Sequence, residues 1–464
     1  AMQIDSSGDI TIATGSDLIT TTASGSTNTR IGTDAGDSIV ASNAGLNNVL
    51  IGVNAGTALD SGDSNVAIGV NALMTEDDHA NNIAIGYEAL KVQDAGADAY
   101  NVAIGYHAGV AVSTGTSNTF VGGLSAGLGA VTGSHNVGVG TETLYDLTSG
   151  ASNVAIGFQA GSNLTSGSQN VAIGREALEA EDGHGKNIAI GFEALKIQNA
   201  GADGFNVAVG HQAGNLLQTG TYNTFVGGLA GDGLTDAANS TAIGYSALSA
   251  ASAGTSCTAI GLSALALATG NENTALGVNA GNVITSGTNN LIIGVNADPS
   301  AATATNQIVM GREVTGSGDN TFTFGAGTSD SAIANGATSI SAPSDQRYKE
   351  EIADATAGLA FIKDLRPVTF KWKKEKNLPT SHRAYVEGSE TRTMNDKTNH
   401  GFIAQEVKTA IDAHSEIKDG FDMWCTDDQA DGGRQRLADG ALVPILVKAI
   451  QELSAKNDAL EARI

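Results

Sequence analysis

The residues with chemistry to offer lie mostly in the last quarter of the 464-residue chain. Ser344 and Lys349 sit five apart in Ser344-Asp345-Gln346-Arg347-Tyr348-Lys349, directly after Pro343. A serine hydroxyl becomes a nucleophile when a base takes its proton, and a lysine can be that base if burial lowers its pKa. Attack by Ser344 on the preceding carbonyl gives an ester that water opens, cutting between Pro343 and Ser344. Attack on its own carbonyl would need a strained four-membered ring. A five-residue offset sets two side chains about 140° apart on a regular helix. A working pair therefore requires Ser344 outside the helix, or a lysine from another chain. The competing reading makes Ser344 an N-cap and Lys349 a solvated surface cation. Asp345 and Arg347 orient the segment rather than react. His400, beside Gly401, either supports the site or is structural.

Elsewhere the chemistry is thinner. Glu76-Asp77-Asp78 and Glu181-Asp182 read as solvated loop acids, and His79, His107, His135, His184 and His211 as loop histidines. Histidines facing a three-fold axis would meet their symmetry mates, which makes an axial metal conceivable. No acidic stretch has the spacing of an EF-hand. Cys257 and Cys425 form neither a disulfide framework nor a metal-ligand spacing. No metal and no cofactor are expected. A glycan-cleaving groove would need paired acids beside aromatic platforms, and the first 343 residues carry no Trp and only scattered Tyr and Phe.

Charge narrows the partners. The chain holds 24 basic and 49 acidic residues: 6 and 28 in residues 1–343 (net −22), 18 and 21 in residues 344–464 (net −3), together the net −25. So acidic a chain repels phosphate backbones and anionic lipid, so no nucleic-acid partner is expected. The longest apolar runs, such as Ala441–Val447, are too short to span a bilayer, and no signal-peptide pattern is seen. The 60 glycines lack collagen's every-third spacing.

The element that organises the chain is a repeat. Asn-x-Ala-Ile-Gly recurs 17 times, its glycines running from Gly32, Gly52, Gly69 and Gly86 to Gly294 and Gly311 at spacings of 16 to 20, most often 17. An aliphatic residue precedes each glycine, and a β-branched one stands two places earlier in all copies but one, where Leu291 replaces it. Residues two apart share a strand face, so each copy predicts a short strand with two apolar teeth on one side, buried by stacking. Fourteen copies carry Asn four places before the glycine, as Asn65 and Asn153 do, which predicts a ladder of amides bonded from coil to coil. Ala dominates three places after it (Ala55, Ala89, Ala160, Ala213), as a tight corner requires. At about 4.8 Å per coil, sixteen intervals make a rod of roughly 77 Å. Residues 82–122 return as 187–227, 105 residues on, so a block of coils has been duplicated.

The repeat, residues 28–311, resembles the head of trimeric autotransporter adhesins, in which such units form a left-handed parallel β-roll and three chains pack side by side. The resemblance implies a homotrimer; the period near 17 departs from that family's shorter one.

The organisation expected is an N-terminal segment (1–27), a repeat β-solenoid (28–311), a Gly/Ser/Thr-rich connector with one alternating strand, Thr321–Phe324 (312–343), and an α+β domain (344–464). In the last, Ser344–Lys349, Leu365-Arg366-Pro367-Val368-Thr369-Phe370-Lys371-Trp372 and His400-Gly401-Phe402-Ile403-Ala404-Gln405-Glu406-Val407 resemble the intramolecular chaperone domain of phage endosialidases and tail fibres. The resemblance implies a domain that trimerises, drives folding of the fibre ahead of it, and is released by a serine–lysine dyad, here Ser344 and Lys349. Autoproteolysis is the only catalysis expected. At the end, Val443, Ile450, Asn457 and Ile464 with Leu446, Leu453 and Leu460 form an a/d coiled-coil seam. Branched residues and Asn at a with Leu at d are dimer signals, in tension with the implied trimer.

A rod with a removable folding module suits a virion tail fibre or tail spike, assembled in the host cytoplasm. Its partners would be copies of itself, other tail proteins, and a bacterial surface glycan or other host receptor. The alternatives are a glycan depolymerase and a cellular trimeric adhesin, the latter needing an export signal and a membrane barrel.

Overall fold

A computed structural model of the chain describes residues 2–4, 10–12, 27–39, 45–250, 254–334, 346, 349–380, 384–418, 421, 423–426 and 435–463. The chain divides into two compact units, residues 1–343 and 344–464.

In the first unit, β1 (Met2–Ile4) and β2 (Ile10–Ile12) form a small antiparallel pair. Seventeen short strands follow, one per repeat, from β3 (Thr29–Ile31) to β19 (Ile308–Arg312). Each pairs in parallel with the next, in register: Val66 lies opposite Ile83, Ala67 opposite Ala84 and Ile68 opposite Ile85. No pairing among the described residues joins the last strand to the first, so the stack is a ladder of coils, a parallel β-solenoid. Beyond the repeats, the segment expected to hold one strand holds two. β20 (Thr321–Ala326) continues the parallel ladder, and β21 (Ser329–Ala334) folds back antiparallel upon it.

The apolar teeth face the opposite way from expectation. Val66 and Ile68 are half-buried, whereas Ala67 between them is fully buried, and this pattern repeats along the ladder. The coil interior is narrow, so the strand offers it alanine while alanine and leucine fill it from the turn half: Ala72 and Leu73 in that same coil, Leu59 in the one before. Where Phe120 replaces the alanine, Gly138 stands opposite it in the next strand.

The rung glycines are required twice over. Gly86 has φ +138, and a Cβ there would lie 2.2 Å from the carbonyl oxygen of Gly105. Further left-handed positions in each coil were not anticipated. Four places after the rung glycine the chain carries glycine in seven coils and leucine in another seven, and those leucines have φ between +48 and +52. Leu73 is held in that costly conformation by its N–H bond to the Ala89 carbonyl, 2.9 Å.

The asparagine column is a ladder, but chiefly from side chain to backbone. Asn153 Oδ1 accepts from the Asn170 backbone N–H at 2.9 Å, and its Nδ2 donates to the Gly167 carbonyl at 2.8 Å and to Asn136 Oδ1 at 3.1 Å. Ser240, Cys257 and Gln307 occupy the same column in the three coils where the asparagine is missing. Ser240 Oγ still donates to the Gly254 carbonyl (3.1 Å) and accepts from the Cys257 N–H (3.3 Å). Cys257 is therefore a buried member of the ladder.

The second unit builds α1 (Leu359–Asp364), β22 (Val368–Phe370), β23 (Asn399–Gly401), α2 (Ala404–Ala413), β24 (Trp424–Thr426), β25 (Gln435–Leu437) and α3 (Leu442–Glu461). Its core gathers Phe361, Val407, Ile411, Met423, Leu442 and Ile445. Glu452 of α3 accepts the Leu359 N–H at 3.0 Å, tying α3 to the start of α1. The stripe that α3 buries is Leu442, Ile445 and Ala449. The seven-apart seam lies on other positions and is exposed, with Val443, Ile450, Leu453 and Leu460 each more than half accessible.

Replacing Asn153 with Ala strands the Asn170 N–H and the Gly167 carbonyl in the interior, at about 1–3 kcal/mol each. Asn153→Ala should lower unfolding stability by about 2–4 kcal/mol in denaturant titration. Asn153→Ser, which can do what Ser240 does, should cost less than half as much.

Candidate functional site

Of the six residues singled out for cleavage, Pro343, Ser344, Asp345 and Arg347 lie outside the described residues. Lys349 is exposed and non-helical, its backbone N–H donating to the Gln346 carbonyl at 3.1 Å. His400 is exposed on β23, paired with Thr369 of β22. The structure joins the other two sequence signatures. β22, from the Arg366–Trp372 stretch, pairs with β23, from the His400–Val407 stretch, and a groove is lined by Pro367, Val368, Thr369, His400, Gly401 and Phe402. Arg366 Nε donates to Glu406 Oε2 at 2.9 Å, with a second bond from Nη2 to Oε1. This two-pronged pairing holds the Glu406 carboxyl below the usual carboxylate range. Two stretches 40 residues apart are thus fixed by a sheet and a charged clamp.

Residues 344–415 match the family model of the chaperone of endosialidase. That domain follows a parallel β-solenoid in the chain, an architecture that is tail-fibre-like. No curated protein and no solved structure matches the chain. Among the described residues, no helix is long and apolar enough to cross a membrane.

At the end of the matched segment stands one arrangement that sequence reading missed. His414, just past α2, gives Nε2 to Asp364 Oδ2 and Nδ1 to Glu416 Oε1, both at 2.9 Å, and meets Phe361 edge-on at 5.4 Å. Its charge partners are 50 residues upstream and two downstream, a convergence with no linear signature.

On the solenoid, two expectations change. Glu76 and Glu181 are not solvated loop acids; both are fully buried. They occupy the column seven places after the rung glycine, where seven other coils place Leu59, Val112, Leu147, Leu164, Leu217, Leu234 and Ile284. Burial raises the pKa of both glutamates, His79 and His184 opposing that through hydrogen bonds. The aromatic residues are also not scattered. Tyr87 stacks on Tyr106 (5.5 Å) and Phe205 on Tyr222 (5.3 Å), while Arg175 lies over the rings of Phe158 and Phe192. Of the histidines, His107 stacks on Tyr106 and His211 on Phe192; His135 is exposed.

Asp364 and then Glu416 raise the His414 pKa above 6.5. A raised imidazole pKa contributes stability that is complete below the unfolded value and is lost as pH rises through the folded one. The His414 ring, followed by NMR, should titrate above 6.5. Asp364→Asn should bring the midpoint down, and His414→Gln should flatten the loss of melting temperature as pH rises above 6.5.

Proposed function

We propose that the chain is a subunit of a phage tail fibre or tail spike. Three copies pack their solenoids side by side, the carboxyl-terminal unit trimerises and guides their folding, and that unit cuts itself off at Ser344. The observation that carries this reading is the chaperone-type domain following a parallel solenoid whose aliphatic residues face outward. Stacked coils start in register only if the chains do, and such topologies fold slowly with exposed edges. A terminal clamp meets both difficulties. Its removal then closes the reverse route and makes the fibre kinetically stable.

Apolar surface supports assembly. On the solenoid the half-exposed teeth, among them Ile104, Val139, Ile156, Val226, Ile243, Leu276 and Met310, form a continuous stripe across 17 rungs. At about 4.8 Å per rung and about 3.3 Å per strand residue, the stripe covers several hundred Å² or more, the size at which exposed apolar surface marks an interaction site. The α3 seam repeats the theme. Copies of the same chain are the natural cover, because in-register stacking sets each rung beside its own equivalents.

The clamp also bears on the dyad. Lys349 is exposed in the single chain. A lysine base needs burial, and packing of a second copy over this segment would supply it, which fits the lysine acting on Ser344 of a neighbouring chain. Host recognition falls to the side of the solenoid away from the stripe, with a surface glycan or another host receptor as ligand. A depolymerase is less favoured. Rings stacked along the ladder turn edges rather than faces outward, a poor floor for sugar, and Glu76 and Glu181 are too buried to reach a glycosidic bond.

Processing is tested by mass under denaturing conditions. The wild-type chain should give two pieces that part between Pro343 and Ser344, and Ser344→Ala one full-length piece; a full-length wild type rules out self-cleavage. Assembly is tested on Ser344→Ala, which retains the clamp. The full chain should run as three copies in native mass spectrometry, and Ile450→Glu with Leu453→Glu should shift it to one or to aggregate. A monomeric parent chain would overturn the trimer.

A further inference from the structure

The column seven places after the rung glycine is buried and apolar in many coils, as at Leu59, Leu147 and Leu217, but two neighbouring pairs carry buried polar side chains instead, Glu76 with Gln93 and Glu181 with Gln198, repeated 105 residues apart by the duplication. A buried carboxylate in a leucine column is costly unless something compensates it. Compensation within the chain is incomplete. Glu76 Oε1 meets His79 Nδ1 at 2.9 Å and Glu181 Oε1 lies 3.4 Å from His184 Nδ1, but Oε2 of each glutamate is buried without a hydrogen-bond partner. His184 Nδ1 is buried and unpartnered as well. Around these groups other donors converge. Ligand atoms of Glu76, Asp77, His79 and Asp94 lie within 4.8 Å of one another, and so do those of Glu181, Asp182 and His184.

We infer that each cluster is a binding site for a divalent cation of the zinc class. Mixed imidazole and carboxylate donors suit zinc, whereas calcium prefers oxygen alone. The cation supplies the positive charge that the buried glutamate lacks and gives His184 Nδ1, which lies 3.4 Å from Glu181 Oε1 without a hydrogen bond, a ligand of its own. The two sites differ at one position: Asp94 of the first corresponds to Asn199 of the second, 105 residues on. The first site thus has one more anionic donor and binds more tightly. Gln93 and Gln198, whose Nε2 atoms are also buried and unpartnered, provide the competing account, in which each simply donates to a glutamate oxygen and no metal enters. That account leaves the converging aspartates and the imidazole held beside each glutamate without a role.

The test uses the full chain, stripped with EDTA and titrated with Zn²⁺, with bound metal counted after gel filtration. Two equivalents per chain are expected, in two affinity classes at least tenfold apart. His79→Ala should remove the tighter one, His184→Ala the weaker, and the double variant both. These histidines are partly exposed, and circular dichroism verifies that the variants stay folded. No tight Zn²⁺ in the wild type, or two equivalents surviving in the folded double variant, would overturn the assignment. So would Ca²⁺ binding with equal strength in wild type and double variant.

Discussion

The structure depends on one constraint: every coil must lie on the next in register, since apart from short turn bonds within a coil the backbone groups find their partners in the neighbouring coils. The asparagine column meets that constraint. Asn48 Oδ1 accepts the Asn65 backbone N–H and Asn65 Oδ1 the Asn82 one, at 2.8 and 2.9 Å, while Nδ2 of Asn48 and Asn65 donates to the turn carbonyls of Gly62 and His79 in the next coil. Once this column is fixed, a one-residue slip would turn the buried alanines out and the aliphatic teeth in, and neither would fit. The rung glycines impose the same rule sterically, because only a residue without Cβ can lie against the carbonyl of the next rung. Hydrogen bonding selects the register, and backbone contact excludes the alternatives.

Much of this was legible because a repeat samples the same position many times. Gly, Asn and Ala recur where backbone conformation or space permits nothing larger, and so the solenoid, its strands and its ladder followed from the pattern. The direction of the teeth did not. Alternation states that Val66 and Ile68 share a face and Ala67 takes the other; it does not say which face is inside. Hydrophobicity argued for the larger residues. The narrow coil decided otherwise, because a space that alanine and leucine already fill cannot also take two β-branched chains per strand. The left-handed leucines were hidden for a related reason: leucine is an unusual choice for positive φ, and only its alternation with glycine in that column hints at it.

In the carboxyl-terminal unit the signatures were legible as words, and their meaning as geometry was not. Arg366 and Glu406 read as parts of two separate motifs, yet they hold each other across β22 and β23. His414 belonged to no motif. Local patterns cannot reveal an ion pair 40 or 50 residues apart. The exposed α3 seam was visible as a heptad, but the second, buried stripe on the same helix was not, because Leu442, Ile445 and Ala449 lie between the heptad positions.

A helix with two apolar stripes and a solenoid with outward aliphatic teeth pose the same physical problem, surface that one chain cannot cover. In each unit the interior is already complete: alanine and leucine fill the coil, and Phe361 with Val407 and Ile445 fills the carboxyl-terminal core. The outward residues are therefore not spare core. Retaining valine and isoleucine on the outer face of rung after rung costs solubility and invites aggregation, a burden that only a regular partner relieves. A partner with the same rung spacing satisfies the whole stripe at once, and only another solenoid of this kind has that spacing. On the proposed assembly, the same reasoning gives the clamp its use. A stripe that matches itself at every rung also matches itself one rung out of step, so the teeth give affinity without alignment. Alignment must come from a feature that occurs once per chain, and the carboxyl-terminal unit is such a feature.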